Sequence, residues 1–165
     1  MHIRVERPED AAVIHALTEA AFAGLPFSDG TEARVIAGLR AAGALTLSLV
    51  AVEGEAIVGH VAFSPVTVEG RDVGWYGLGP VSVWPARQRG GIGGALIREG
   101  LARLTAMGAG GCVLLGDPRY YRRFGFEADP ALYQEGAPAW AFQRLALNGP
   151  PAKGRVRFHP AFEVA

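Results

Sequence analysis

Val81-Ser82-Val83-Trp84-Pro85-Ala86-Arg87-Gln88-Arg89-Gly90-Gly91-Ile92-Gly93-Gly94-Ala95-Leu96 is the stretch whose reading decides the fold. Its first residues end a strand, a short loop follows, and a run of glycines leads into a helix. Leu96, Ile97, Gly100, Leu101 and Leu104 recur at helical spacing, so the helix runs to about Met107, and Gly108 ends it. A helix that starts this way offers unpaired N–H groups and partial positive charge, which suits a pyrophosphate. Glycines let the backbone approach the anion, and Arg87 and Arg89 add charge at the rim. Two familiar phosphate loops do not fit. A Walker loop needs a lysine, and Lys153 is the only lysine in the chain. A dinucleotide fingerprint starting at Gly91 and Gly93 needs glycine at 96, where Leu96 stands. The same glycines also suit a turn that binds nothing, so the turn alone leaves both readings open.

Upstream, His2 to Glu6 alternates as a short strand. Pro8, Glu9 and Asp10 suit the first turn of an amphipathic helix over about 8–22, with Val13, Ile14, Leu17 and Ala21 inward. Gly24 to Gly30 is a loop, and Thr31 to Ala42 is a second helix stopped by Gly43. Three strands are expected over Leu45 to Val52, Ala56 to Val68 and Val73 to Val83, with turns at Gly54 and at Glu69 to Asp72. Gly77, Gly79 and Pro80 interrupt the third strand. Downstream, Gly111 to Leu115 is a short buried strand. Asp117 caps a short helix that has Pro118 at its first position and Gly125 as its stop. Further strands are expected around Trp140 to Leu147 and Arg155 to Phe158. No linker divides the 165 residues, which read as one α/β domain with a mixed sheet.

Composition narrows the function. The formal net charge is zero, against a nucleic-acid binder acting through bulk charge. Cys112 is the only cysteine, so no disulfide within the chain and no cysteine-cluster metal site can form. It sits in an apolar strand, where a structural role outweighs that of a nucleophile. His2, His15, His60 and His159 are dispersed without ligand spacing, and no metal is expected. No apolar run approaches a membrane span, and the N-terminus becomes charged at once, so a cytoplasmic setting is expected.

Gln88-Arg89-Gly90-Gly91-Ile92-Gly93 resembles the Gln/Arg-x-x-Gly-x-Gly/Ala motif of the GNAT acetyltransferase superfamily. Tyr121-Arg122-Arg123-Phe124-Gly125-Phe126 is similar to the Tyr-x-x-x-Gly-Phe segment of that family, and Leu115 to Phe126 as a whole resembles one bacterial subgroup. The order β-α-α-β-β-β-α-β-α-β resembles the family's over nearly the whole chain. The resemblance implies a single GNAT domain over 1–165: a mixed central sheet flanked by helices, with splayed strands forming an acyl-CoA cleft. It implies acetyl-CoA as co-substrate, held along the strand edge of Val81, Ser82 and Val83 and at the turn formed by Gln88, Arg89, Gly90, Gly91, Ile92, Gly93 and Gly94. It also implies direct attack of an amine on the thioester, with the Val83 N–H as oxyanion donor and Tyr121 as general acid. Tyr120 is the alternative acid.

The glutamate that many relatives place before the motif is missing from Trp75 to Pro80. Asp29 and Glu32 are the alternative bases, beside a water chain. The asparagine that many relatives carry after the fifth strand is also missing, and Asp117-Pro118 takes that place. Phe22, Leu25, Pro26 and Phe27 are candidate walls of the acceptor pocket, as are Trp75, Tyr76, Tyr133 and Trp140. The expected acceptor is a small-molecule, peptide or protein amine, with no nucleic acid and no membrane as partner. A homodimer is compatible with the family. A non-catalytic acyl-CoA-binding regulatory domain is the alternative function.

Overall fold

The computed structural model describes residues 1–163. β1 (His2–Val5), β2 (Leu47–Glu53), β3 (Ala56–Val68) and β4 (Arg71–Val83) form an antiparallel run. β5 (Gly111–Leu115) then joins β4 in parallel, and β7 (Phe142–Ala146) closes the path antiparallel to β5, giving the order β1-β2-β3-β4-β5-β7. β8 (Gly154–Arg157) pairs with the far end of β3, and the two-residue β6 (Leu132–Tyr133) pairs with β8. The α/β class and the mixed sheet are as expected.

α1 (Ala11–Phe22) and α2 (Glu32–Ala41) cover one face of the sheet, and α3 (Ile92–Ala106) covers the other. β2 is apolar on both sides because both faces are covered. Val50 joins Ile14, Leu17 and Ile36 under the first pair, while Leu49 and Ala51 join Leu96, Ile97 and Leu104 under α3. Two glycines set how closely α3 sits. A Cβ on Gly100 would lie 2.3 Å from the Phe63 ring, and one on Gly59 would lie 2.9 Å from Ile92. Cys112 is fully buried in this layer, and burial pushes its thiol pKa up.

Several boundaries differ from the sequence reading. Pro8–Asp10 is a short 3-10 turn before α1 rather than its first turn. α3 starts at Ile92, so Gly93 and Gly94 lie inside the helix. β4 is continuous across Gly79 and Pro80. The register steps from Val61↔Val81 to Phe63↔Leu78, which leaves two residues of β4 opposite Ala62 and makes a bulge instead of a break. Asp117 caps α4 (Pro118–Tyr121) as expected, accepting from the Arg119 N–H at 2.9 Å. β6 and the terminal 3-10 turn over Pro160–Glu163 have no sequence signal.

A partly buried polar group ties the β1 end of the sheet to α2. Arg40 donates twice to Glu6, at 3.0 Å each. The Ser48 hydroxyl donates to Glu6, so it accepts from the Nε2–H of His60 at 2.8 Å, which fixes the neutral tautomer of the ring. His60 is fully buried, its Nδ1 has no partner among the described residues, and burial pushes its pKa down to about 4 from 6.5, the Glu6 charge opposing the shift. A depressed pKa means that the unfolded chain takes up the proton first. Stability contributed by the neutral ring is full above pH 6.5 and is lost as pH falls toward 4. The loss should reach about 3 kcal/mol, measured as unfolding free energy against pH. His60→Leu should flatten this slope; an unchanged slope would remove His60 as its origin. Glu6 and Asp10 add their own loss at lower pH, since both are held below their ordinary values. Burial opposes the shift of Glu6, and the bonds from Arg40 and Ser48 produce it. For Asp10 the bond from Arg4 is the main cause.

Candidate active site

The site forms where β4 and β5 part. Their parallel pairing runs from Trp75↔Gly111 to Gly77↔Val113 and stops. β3 stays with β4 through Gly59↔Val83, so β4 beyond Gly77 is paired on one side only. The Trp84 N–H donates to Val58 O at 3.0 Å. Antiparallel pairing alternates, so the peptide groups of Val81 and Val83 point away from β3 into the gap. Ser82 lies between them, but its hydroxyl faces Thr18 at 3.4 Å on the other face of the sheet. It does not line the gap, in contrast to its two neighbours. Gln88 reaches back to donate to Val83 O at 3.0 Å, so this residue braces the edge.

The glycine turn follows directly. Arg89 has φ 68° and Gly91 has φ 85°, and these left-handed residues curl successive N–H groups into a concave nest. None of the N–H groups of Arg89, Gly90, Gly91, Ile92, Gly93 and Gly94 donates to a protein acceptor among the described residues. Ala95 makes the first intrahelical bond, to Gly91 O. A non-glycine residue rarely adopts the conformation of Arg89, and the nest accounts for it here. A Cβ on Gly93 would stand 3.8 Å from Val81 and Val83 and 3.9 Å from the Tyr120 hydroxyl, an ordinary spacing. Gly93 therefore leaves open the space between strand edge and α4. The Ile92 side chain is buried under α3, so this residue contributes backbone only.

Two chambers meet at the gap. The larger, about 1300 Å³, is mostly apolar and is lined by Val81, Val83, Gln88, Pro118, Arg119, Tyr120 and Tyr121, with Leu25, Phe27 and Trp140 at its rim. The smaller, about 420 Å³, is lined by Asp29, Thr31, Glu32, Val35, Gln134, Arg157, Phe158, His159, Phe162 and Glu163. Phe22, Leu78, Gly79, Pro80 and Leu115 line both and form the waist.

Tyr121 lies in the larger chamber with its ring against Gly116, where a Cβ would come within 2.5 Å of it. Burial pushes its pKa up to about 12, the neighbouring Tyr120 adding to the shift, so the phenol keeps its proton at neutral pH. Tyr120 also lines this chamber. Its hydroxyl reaches the start of α3, 3.8 Å from a Cβ on Gly94.

Of the alternative bases, Asp29 and Glu32 both line the smaller chamber. Asp29 accepts from the Thr31 hydroxyl and N–H, and these bonds hold its pKa below the ordinary value, making it a weak proton acceptor. His159 accepts from the Ala161 N–H on Nδ1, so its neutral ring carries the proton on Nε2. Trp75 is buried under the sheet and walls neither chamber, and neither do Tyr76 and Tyr133. Nothing in the sequence points Arg157, Phe158, His159, Phe162 or Glu163 to this site; only the return of the tail past α2 brings them here.

The chain matches the family model described as an acetyltransferase (GNAT) domain over residues 2–128. An uncharacterized N-acetyltransferase of Escherichia coli K12, YhbS, is 41% identical over 173 residues, covering 98% of each chain. The crystal structure of a GNAT family acetyltransferase from Brucella melitensis in complex with acetyl-CoA is similar at TM-score 0.88 and 56% identity, covering 98% of this chain and 97% of that one. The YhbS crystal structure in complex with CoA is also similar at TM-score 0.88, with 38% identity over 99% of this chain and 92% of that one. With splayed strands, a glycine nest and a family model matched across most of its length, this chain belongs to the GNAT acetyltransferase family.

Proposed function

We propose that this chain transfers the acetyl group of acetyl-CoA to an amine by direct attack. One observation carries the reading: a free strand edge and a protonated tyrosine line one cleft, and the N–H nest, unpaired among the described residues, starts at the end of that edge. The residues fit the co-substrate. The edge at Val81 and Val83 offers peptide groups to the pantetheine amides, as an added strand would. The nest offers donors to the pyrophosphate, and the cleft has the volume for the arm between them. Relatives crystallised with acetyl-CoA and CoA support this donor.

The amine enters through the smaller chamber and meets the thioester at the waist. Its nitrogen, already deprotonated, forms a bond to the carbonyl carbon while the carbon–sulfur bond breaks. The Val83 N–H supports the charge that develops on the carbonyl oxygen. Tyr121 gives its proton to the departing thiolate and is reprotonated from solvent, to which the product nitrogen releases its excess proton. The products are an acetamide and free CoA. The position of Tyr121 inside the cleft favours this reading over a regulatory domain that only binds the donor.

Calorimetric titration should show micromolar acetyl-CoA binding, with NADH as a control that does not bind. Gly93→Leu should fold normally, because its first side-chain carbon has room, and yet lose this binding. Unchanged affinity would remove the α3 nest as the phosphate site. Tyr121→Phe should lower kcat by at least ~10-fold and leave the acetyl-CoA dissociation constant unchanged. Full turnover in that variant would take Tyr121 out of the mechanism. Tight binding with no transfer to any amine would favour the non-catalytic domain.

A further inference from the structure

Tyr121 is held in the larger chamber by packing. Among the described residues no hydrogen bond reaches its hydroxyl, so what packs on the ring sets where that hydroxyl stands. Tyr120 meets the ring edge-on with centroids 5.0 Å apart, and Phe126 does so at 6.2 Å. The tightest boundary is Gly116, where even a Cβ would stand 2.5 Å from a ring carbon. Whatever fixes Gly116 therefore fixes one side of the ring.

Gly116 lies one residue past the end of β5, where backbone pairing with β7 stops at Leu115↔Phe142. Three hydrogen bonds continue the ladder past that point. The Gly116 N–H donates to Ala141 O at 3.0 Å, and Gln143 Nε2 donates to Gly116 O at 3.1 Å and to Ala141 O at 3.3 Å. Both acceptors of the amide are carbonyl oxygens, which only its NH2 end can serve, so they fix which way Gln143 points. Gln143 pairs with Leu114, and paired residues share a face, so its side chain lies on the α3 side of the sheet with Leu114 and Tyr121. From Gly116 the chain runs directly into α4. Asp117 caps that helix, and its carbonyl accepts from the Tyr121 N–H at 3.0 Å. Gln143 itself is fully buried and lines neither chamber. Its Oε1 is sealed without a partner among the described residues, and a buried acceptor left unpaired opposes folding. What the amide supplies is a donor aimed at the residue beside Tyr121.

We propose that Gln143 is a positioning residue for acetyl transfer: its amide clamps Gly116 to Ala141 and so sets where the Tyr121 ring, and with it the proton for the departing thiolate, stands in the cleft. The inference rests on the acetyltransferase reading with Tyr121 as its acid. It adds no bond change to those already given. Proton transfer needs hydrogen-bond reach, and a shift of ~1 Å in a positioned group costs up to ~100-fold in rate.

The test uses Gln143→Met, which keeps the length of the side chain and removes the donor, beside Tyr121→Phe and the double variant. CoA release is followed with acetyl-CoA and n-butylamine, benzylamine or ethanolamine as probe amines. Gln143→Met should lower kcat by ~5-fold or more without exceeding the loss in Tyr121→Phe, and leave the acetyl-CoA dissociation constant and Tm close to those of the parent. In the double variant the loss should equal that of Tyr121→Phe alone, because the clamp acts through the hydroxyl already removed. A merely structural defect lowers both backgrounds alike, so losses that multiply overturn the inference. With the four tyrosines isotope-labelled at Cζ, Gln143→Met should also move the magnetic-resonance signal that Tyr121→Phe removes, and leave that of Tyr133 in place. An unmoved Tyr121 signal or an unchanged kcat overturns the inference and leaves the acetyltransferase reading standing. If Gln143→Met does not fold, Gly116→Ala displaces the same ring directly and faces the same double-variant comparison. Full turnover in Tyr121→Phe overturns the inference while transfer stands. Acetyl-CoA binding with no transfer to any of these or other amines overturns both.

Discussion

The site depends on the early end of one parallel strand pair. β4 and β5 share three register positions and then diverge, while β3 holds β4 in place to Val83. Backbone N–H and C=O groups have to be satisfied, and inside a sheet a neighbouring strand satisfies them. Here the neighbour leaves, and Val81 and Val83 face a cleft wide enough for a ligand to take its place. The bulge at Gly79 and Pro80 sits at the point of departure, and Pro80 has no N–H to offer a neighbour in any case. The chambers, the waist and the position of Tyr121 all follow from that gap.

What lines the gap is set by close packing elsewhere. α3 begins next to the free edge because Gly59 and Gly100 let it lie against β3. Its glycine start then presents six N–H groups that are unpaired among the described residues, with Gly93 beside Val81 and Val83. On the other wall, Gly116 admits the Tyr121 ring, and Gln143, fully buried in β7, donates to Gly116 O at 3.1 Å. The turn on which the tyrosine packs is thus held by a side chain from the last long strand. In this chain that tie lies in the region where many relatives carry an asparagine.

The electrostatics divide the molecule. The Glu6–Arg40–Ser48–His60 group lies between β1, α2 and the sheet with Ser48 and His60 buried, and the neutral histidine serves the fold. Tyr121 is shielded in the larger chamber, and burial keeps its phenol protonated at neutral pH. Asp29, Glu32 and Glu163 line the second chamber, whereas the larger one carries Asp117, which is paired with Arg119.

The sequence by itself determined the helices, most strands, the phosphate turn and the tyrosine segment. Each of these is a local signal: helical spacing of Leu96 to Leu104, glycines at a helix start, the Asp117-Pro118 cap, the stop at Gly125. Locality also explains the errors. Gly79 and Pro80 suggested a break because propensity does not see that β3 pairs on both sides of them. The alternation that turns the Ser82 hydroxyl toward Thr18, while its neighbours face the cleft, depends on which partner strand claims which peptide groups. Only the tertiary structure decided the second chamber. Asp29 and Glu32 come from the loop before α2 and its first turn, Gln134 from a loop after β6, and Phe158 to Glu163 from the tail. They meet only because β8 returns to the far end of β3 and leaves the tail against α2. Contacts between segments more than a hundred residues apart leave no periodicity to read, so the sequence could name Phe22, Asp29 and Glu32 as candidates but not the chamber they share with the tail, whereas the strand edge and the glycine turn were written in adjacent residues.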